Sequence, residues 1–327
     1  MKLGNVSGII AVASREGAMP MLQVGTIPVI QRIVITYQQV GIFPIVVVTE
    51  KNNDEIKRQL SAYGVIFLEN PGLDAPELLD AVGIGLEFLR GKCDRVAITP
   101  VNAPMFSPVT LARLLGTEGD IVAPSYQGRG GHPVILSDAM FSQVLAYEGG
   151  NGLRGALDGC GVPRIWVDVD DKGVLSNVRN ESELYDRLEA HNSAILHPVL
   201  HMKLEQESPF FSARLKLLLY LLADTNNMRT SCACSGIAHS KAWDMINRLE
   251  QHLGYSVVER QRGGKSGGST RLTEQGREFL TAYHDLSRPS ISLPRTNSKN
   301  GLFPQKSSKE FGVFPERGFC ISLYLYL

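Results

Sequence analysis

Nowhere in these 327 residues does an apolar run approach the length of a membrane span, and after Lys2 the chain continues with Gly4, Asn5 and Ser7 rather than the apolar core of a signal segment. Cysteine is scarce and odd in number. Cys93, Cys160, Cys232, Cys234 and Cys320 are scattered, which argues against a disulfide framework and for a reducing compartment, so a cytoplasmic location is expected. Cys232 and Cys234 have no second pair to complete a zinc site and read as small packing residues. Net charge is also lacking, because 33 basic and 33 acidic residues cancel. The cancellation hides a division: residues 1–197 hold 16 basic and 22 acidic side chains, 198–285 hold 11 and 9, and 286–327 hold 6 and 2. An acidic first part is no platform for nucleic acid, so any DNA contact is expected later in the chain.

What the chain does have is a basic glycine tip between two short branched-apolar runs, from Tyr255 to Thr273. Gly263, Gly264, Gly267 and Gly268 permit close backbone approach, and Arg260, Arg262, Lys265 and Arg271 supply positive charge. The pattern predicts a β-hairpin that lies against a phosphate backbone. Before it, Phe211, Leu215, Leu218, Leu219 and Leu222 recur at helical spacing, with Pro209 near the start of that helix. A polar segment from Asn226 to Ser235 and the turn residue Gly236 follow. A run from Ser240 to Leu253 then puts Ala242, Ile246, Leu249 and Leu253 on one face, leaving Ser240, Lys241, Asp244, Asn247 and Arg248 on the other. Those are the residue types that touch phosphates and base edges from a helix in the major groove. Trp243 is expected to wedge against the first helix. Thr273 is expected to cap a last helix carrying Phe279, Leu280 and Tyr283 inward.

This order, with Ala242 and Trp243, the Gly-Gly-Lys-Ser-Gly-Gly tip and Leu272-Thr273-Glu274-Gln275-Gly276, resembles the winged helix-turn-helix domain of ModE-type and LysR-type transcription regulators. It departs from them in the second helix, where Met228, Arg229, Thr230, Cys232 and Cys234 stand in place of small residues. The resemblance implies DNA binding through Ser240, Lys241, Asn247, Arg248, Arg260, Arg262, Lys265 and Arg271.

Along residues 6–190 strand-like apolar runs alternate with amphipathic helical ones. Strands are predicted at 6–13, 43–49, 65–68, 95–99, 120–123, 134–136 and 164–169, buried on both sides, and helices at 27–40, 53–62, 75–89, 108–115 and 181–191. The alternation gives an α/β fold, a doubly wound, mostly parallel, Rossmann-like sheet. Its ligands are expected beyond the carboxyl ends of the strands, at the loops after Ala13 and Thr99. The domains are expected at 1–196 and 197–286, followed by a disordered tail at 287–327, where prolines interrupt a Ser-, Asn- and Lys-rich stretch.

Ile9 to Ala13 leading to Arg15 and Gly17, then Pro20, Gly25 and Pro28, the strand Ile45 to Thr49, Thr99-Pro100-Val101 and Gly131-His132-Pro133-Val134 together resemble the MobA-like nucleotidyltransferases, which attach a nucleotide to the molybdenum cofactor. The resemblance implies magnesium and a nucleoside triphosphate as cofactors of a working site, and nucleotide contacts from Ala13, Ser14, Arg15, Gly17, Asn102 and His132. It also marks departures. The first loop is short, Met21 stands where a lysine is expected, Asn102 where a magnesium-binding aspartate is, and Asn177 and Arg179 where a later pair of acids is. Asn keeps an oxygen without the charge, and Arg179 repels a metal. A calcium loop at Asp168, Asp170 and Gly173 is excluded by Lys172 and Arg179 in ligand positions; no metal site is expected.

Nucleotidyl transfer depends on positioning and charge neutralisation, so these substitutions should remove most of its rate. The reading is a DNA-binding regulator linked to molybdenum cofactor metabolism, whose degenerate first domain senses a ligand. Its partners are then DNA, a nucleotide or molybdopterin-type ligand, and a second copy of the chain in a homodimer. The alternative is an active nucleotidyltransferase with substitute ligands and an attached winged helix; whether the chain is an enzyme is left open by the residues.

Overall fold

A computed structural model of the protein describes residues 6–13, 17–51, 53–70, 77–179, 181–195, 204–205, 209–261 and 269–287. Ser14, Arg15, Arg262, Lys265 and everything after Ser287 lie outside the described residues, and with them the tip of the expected hairpin and nearly all of the expected tail. Contacts divide the chain into two units, residues 1–197 with 229–238, and residues 198–228 with 239–327.

The first unit runs β1 (Val6–Ala11), β2 (Gln23–Val24), β3 (Ile27–Pro28), α1 (Val29–Gln39), β4 (Ile45–Thr49), α2 (Asp54–Gln59), β5 (Ile66–Glu69), α3 (Leu78–Leu89), β6 (Arg95–Pro100), α4 (Pro108–Leu115), β7 (Ile121–Tyr126), β8 (Arg129–Gly130), β9 (Val134–Ser137), α5 (Phe141–Leu145), α6 (Gly152–Asp158), β10 (Arg164–Asp168), α7 (Glu181–Asp186) and α8 (Leu188–Ala194). Its main sheet has the order β10-β7-β9-β6-β1-β4-β5, with β8 added to β7. All pairings along that order are parallel except those of β9, which runs antiparallel to β6 and β7. The mostly parallel α/β sheet read from the alternation is therefore present. β4 is wholly buried, as its Ile-Val-Val-Val-Thr sequence requires for a strand covered on both faces. β10 is not: at the sheet edge Trp166 is 51% exposed, which corrects the expectation that every strand is buried on both sides.

Two glycines set how closely the helices cover β1. A Cβ on Gly8 would sit 2.5 Å from the Tyr37 ring of α1, and one on Gly85 of α3 would sit 2.8 Å from Ile9. Gly8 and Ile9 point to opposite faces, so the two helices pack on opposite sides of the same strand. Tyr37 reaches through to hydrogen-bond the Ala97 carbonyl (3.1 Å) and Thr99 Oγ1 (2.6 Å), and burial raises its pKa well above the ordinary value. α4 starts after Ser107, whose hydroxyl accepts from Thr110 N (3.1 Å), with Pro108 at the first helical position.

Later in the chain come β11 (Leu204–Glu205), β12 (Pro209–Phe211), α9 (Ala213–Thr225), α10 (Met228–Ser235), α11 (His239–Leu253), β13 (Val258–Gln261), β14 (Ser269–Leu272) and α12 (Glu274–Ser287). Gly236, at φ +63°, makes the turn before α11. The order is that of a winged helix. Pro209 and Phe211 stand in β12, not at the start of a helix; the chain there pairs with β11, and helix one begins after Ser212. Phe211 instead stands edge-on to Phe279 (4.9 Å) and Tyr283 (4.5 Å) of α12. Thr273 does cap α12, its hydroxyl accepting from Gly276 N (3.0 Å) while donating to the Ser256 carbonyl (2.8 Å). α12 extends through Ser287, the first residue of the expected tail.

Candidate functional site

In the first unit the ends of β1 and β6 meet, since Ala11 is paired with Pro100 and Val101 N donates to the Ala11 carbonyl (2.9 Å). A small depression at this edge is lined by Ala11, Ala13, Ala18, Leu78, Pro100, Val101 and Asn102. Beside it runs the segment 171–179, which the sequence did not single out for any structural part. Asp171 organises it: one carboxylate oxygen accepts from Ser107 N (2.8 Å) and Thr110 Oγ1 (2.6 Å), the other from Gly173 N (2.9 Å). Met105 N donates to Ser176 Oγ (3.2 Å), and Val178 N donates to the Asn102 carbonyl (2.9 Å). Glycine permits this contact, because a Cβ on Gly173 would lie 2.0 Å from the Met105 carbonyl oxygen.

The fixed segment delivers Asn177 and Arg179 to the same edge as Asn102. Asn177 Oδ1 accepts from Arg179 N (3.0 Å), closing an Asx turn. Gly17 has φ +68°, and a Cβ there would lie 3.0 Å from Arg179 Nε and 3.1 Å from Nη2. The guanidinium thus rests on the backbone that leaves the first loop. Three residues picked out as departures, Asn102, Asn177 and Arg179, are brought together with Gly17 and Ala13.

Two other positions are not. Met21 is half-buried and packs against the core, so a lysine there would point inward; the exposed methionine of that loop is Met19, at 45%. His132 donates its backbone N–H to the Val174 carbonyl (2.9 Å), while its Nδ1 is buried with no hydrogen-bond partner. Burial, and secondarily the charge of Arg164, push its pKa down to about 4, so it is neutral and faces Arg164. A second such histidine, His191, lies against the fully buried Arg32, whose Nη1 is 3.2 Å from Nδ1; burial and then Arg32 bring His191 also to about 4.

Magnesium does not fit these groups. Asn102 and Asn177 bring oxygens without charge, Arg179 brings a cation, and no cluster of three His, Cys, Asp or Glu placed to hold a metal occurs among the described residues.

In the second unit α11 buries Ala242, Ile246 and Leu249 and exposes Ser240, Lys241, Asp244, Asn247 and Arg248, the division read from its spacing. The hairpin pairs Val258 with Leu272, Glu259 with Arg271 and Arg260 with Thr270. Neighbouring pairs in a ladder face opposite ways, so Arg260 and Arg271 lie on opposite faces and do not form one patch. Arg271 stands across from Glu259. Arg260 is stacked over the Trp243 ring at 3.8 Å, and its Nη2 donates to Asn247 Oδ1 (3.3 Å). The half-buried Trp243 ring has Arg260 over its face and stands edge-on to His239 (6.1 Å), so the indole is a platform for the cation. Glu250, one turn further along, accepts from Val257 N (2.8 Å) and Val258 N (3.1 Å).

No helix among the described residues is long and apolar enough to cross a membrane. Residues 16–165 match the family model of the MobA-like NTP transferase domain, so the chain carries such a domain over that stretch. The chain is 32% identical over 90 residues to the DNA-binding transcriptional dual regulator ModE of Escherichia coli K12, covering 28% of this chain and 34% of that protein. It is 33% identical over 133 residues to the transcriptional regulator ModE of Yersinia pestis, covering 36% and 50%. It thus spans between 34% and 50% of the length of these relatives. A solved nucleotidyl transferase from Methanothermobacter thermautotroptrophicus shares the fold, with 19% identity and a TM-score of 0.50 over 57% of this chain and 98% of that one.

Proposed function

We propose that this chain is a cytoplasmic DNA-binding transcription regulator linked to molybdenum cofactor metabolism, in which the NTP transferase domain holds a nucleotide or molybdopterin-type ligand without turning it over. The observation that carries the DNA reading is the exposed polar face of α11 with Arg260 fixed across it by Trp243 and Asn247. A guanidinium from β13 and an amide from α11 held side by side are suited to base edges, and Lys241 and Arg248 to flanking phosphates. The likeness to ModE regulators supports the same reading. Loss of turnover is argued from Asn102, Asn177 and Arg179, which offer a metal neither charge nor a complete ligand set.

A gel-shift titration over a range of salt tests the DNA reading. Binding should weaken steeply with salt and vanish when Arg260, Arg262, Lys265 and Arg271 are all replaced by Ala. Arg260→Ala alone should cost more than Arg271→Ala, since only Arg260 faces the helix. A quadruple variant that shifts DNA as well as the parent at moderate salt would overturn the assignment. Robust pyrophosphate release from CTP or GTP with molybdopterin would instead make the chain an enzyme.

A further inference from the structure

We infer that the site at the ends of β1 and β6 takes a phosphorylated ligand directly on the Arg179 guanidinium, without a divalent cation. The inference rests on the reading of the first unit as a nucleotide-holding domain, and it names what does the holding. Arg179 follows Asn177 and Val178, which are tied down by the Asx turn and by the 2.9 Å bond to the Asn102 carbonyl, so the backbone that aims it is fixed. Its guanidinium lies against Gly17, where any Cβ would crowd it at 3.0 Å. No carboxylate among the described residues forms an ion pair with it.

A guanidinium is planar, always charged and matched in shape to two phosphate oxygens, so it can neutralise a phosphate chain without a metal. A magnesium ion bound beside it would face a fixed positive charge and uncharged amide oxygens. The ligand class is a di- or triphosphate. Its phosphates would meet Arg179 and the backbone at Gly17, and the rest would extend along Ala13, Pro100 and Asn102. Because magnesium would neutralise the phosphates that Arg179 recognises, the metal should weaken binding instead of supporting it.

Calorimetric titration of the full chain with inorganic pyrophosphate, and separately with CTP, in EDTA and in excess magnesium, tests this. Binding in EDTA should be at least as tight as in magnesium. Arg179→Ala should weaken it by on the order of tenfold or more, with Arg179→Lys retaining part of the affinity. The side chain is exposed, so both variants should melt as the parent does. Binding that requires magnesium, or is unchanged in Arg179→Ala, would overturn the inference while leaving the nucleotide reading in place. Binding of neither probe in either buffer would overturn both.

Discussion

Arg260 and Arg179 are both exposed cations at the rim of a fold, yet what places them differs. Arg260 is held by side chains: it stacks on an indole and donates to an amide, both carried by α11. Arg179 is held by backbone: a glycine clears its seat, and hydrogen bonds of the main chain from 171 to 179 set its origin. A site assembled from side chains of one helix and the strand beside it should tolerate changes elsewhere in the chain and respond to its own residues one by one. A site assembled from the meeting of distant loops should be lost whenever their approach is spoiled, even by a residue that never meets a ligand.

The largest effect is therefore expected at Gly173. Its Cβ in Gly173→Ala would lie 2.0 Å from the Met105 carbonyl oxygen and 2.7 Å from Asp171 Oδ1, so the segment must lift. A loss of about 3 kcal/mol in urea unfolding of the first unit, with loss of pyrophosphate binding, is expected. An unchanged unfolding midpoint would break the account of a backbone-built site.

Next comes acidity. His132 and His191 are held near 4 in the folded chain against an ordinary value of 6.5, by burial first and by Arg164 and Arg32 second. A lowered folded value means that the unfolded chain takes the proton more readily. The stabilisation is complete above about 6.5 and is lost as pH falls towards 4, amounting to at most about 2 kcal/mol per histidine at pH 5. Urea midpoints measured from pH 7 to 5 should fall, and His191→Gln should flatten the fall.

A smaller effect is expected at the α11 face. Trp243→Ala removes the platform under Arg260, which should lower DNA affinity by about 1 kcal/mol while Trp243→Phe keeps much of it. A variant that loses stability but binds the same DNA with the same preference would return the indole to a purely structural part.

What the sequence disclosed follows the same divide. Periodicity exposed α11 and its two faces, and Thr273 announced the start of α12, because both signals are local. Phe211 misled for the same reason: four residues before Leu215, it mimics a helical position, and only pairing with β11 shows the chain there to be extended. α5 and α6 give no periodic signal, because Phe141–Leu145 and Gly152–Asp158 are too short, and the second too rich in glycine, to display a face. Asp171 carries no local signal, because its partners Ser107 and Thr110 lie more than sixty residues away. Met21, expected where a lysine would stand, packs against the core, and the direction in which a loop residue points is not written in its neighbours.

One carboxylate has a wider consequence. Glu250 holds the amides of Val257 and Val258 from the end of α11, so the root of the hairpin is tethered to the helix that would enter the groove. If the chain docks on a duplex, that tether holds the hairpin root and the helix as one piece, so ordering the root costs little entropy and a misfit at the backbone is felt at the bases as well.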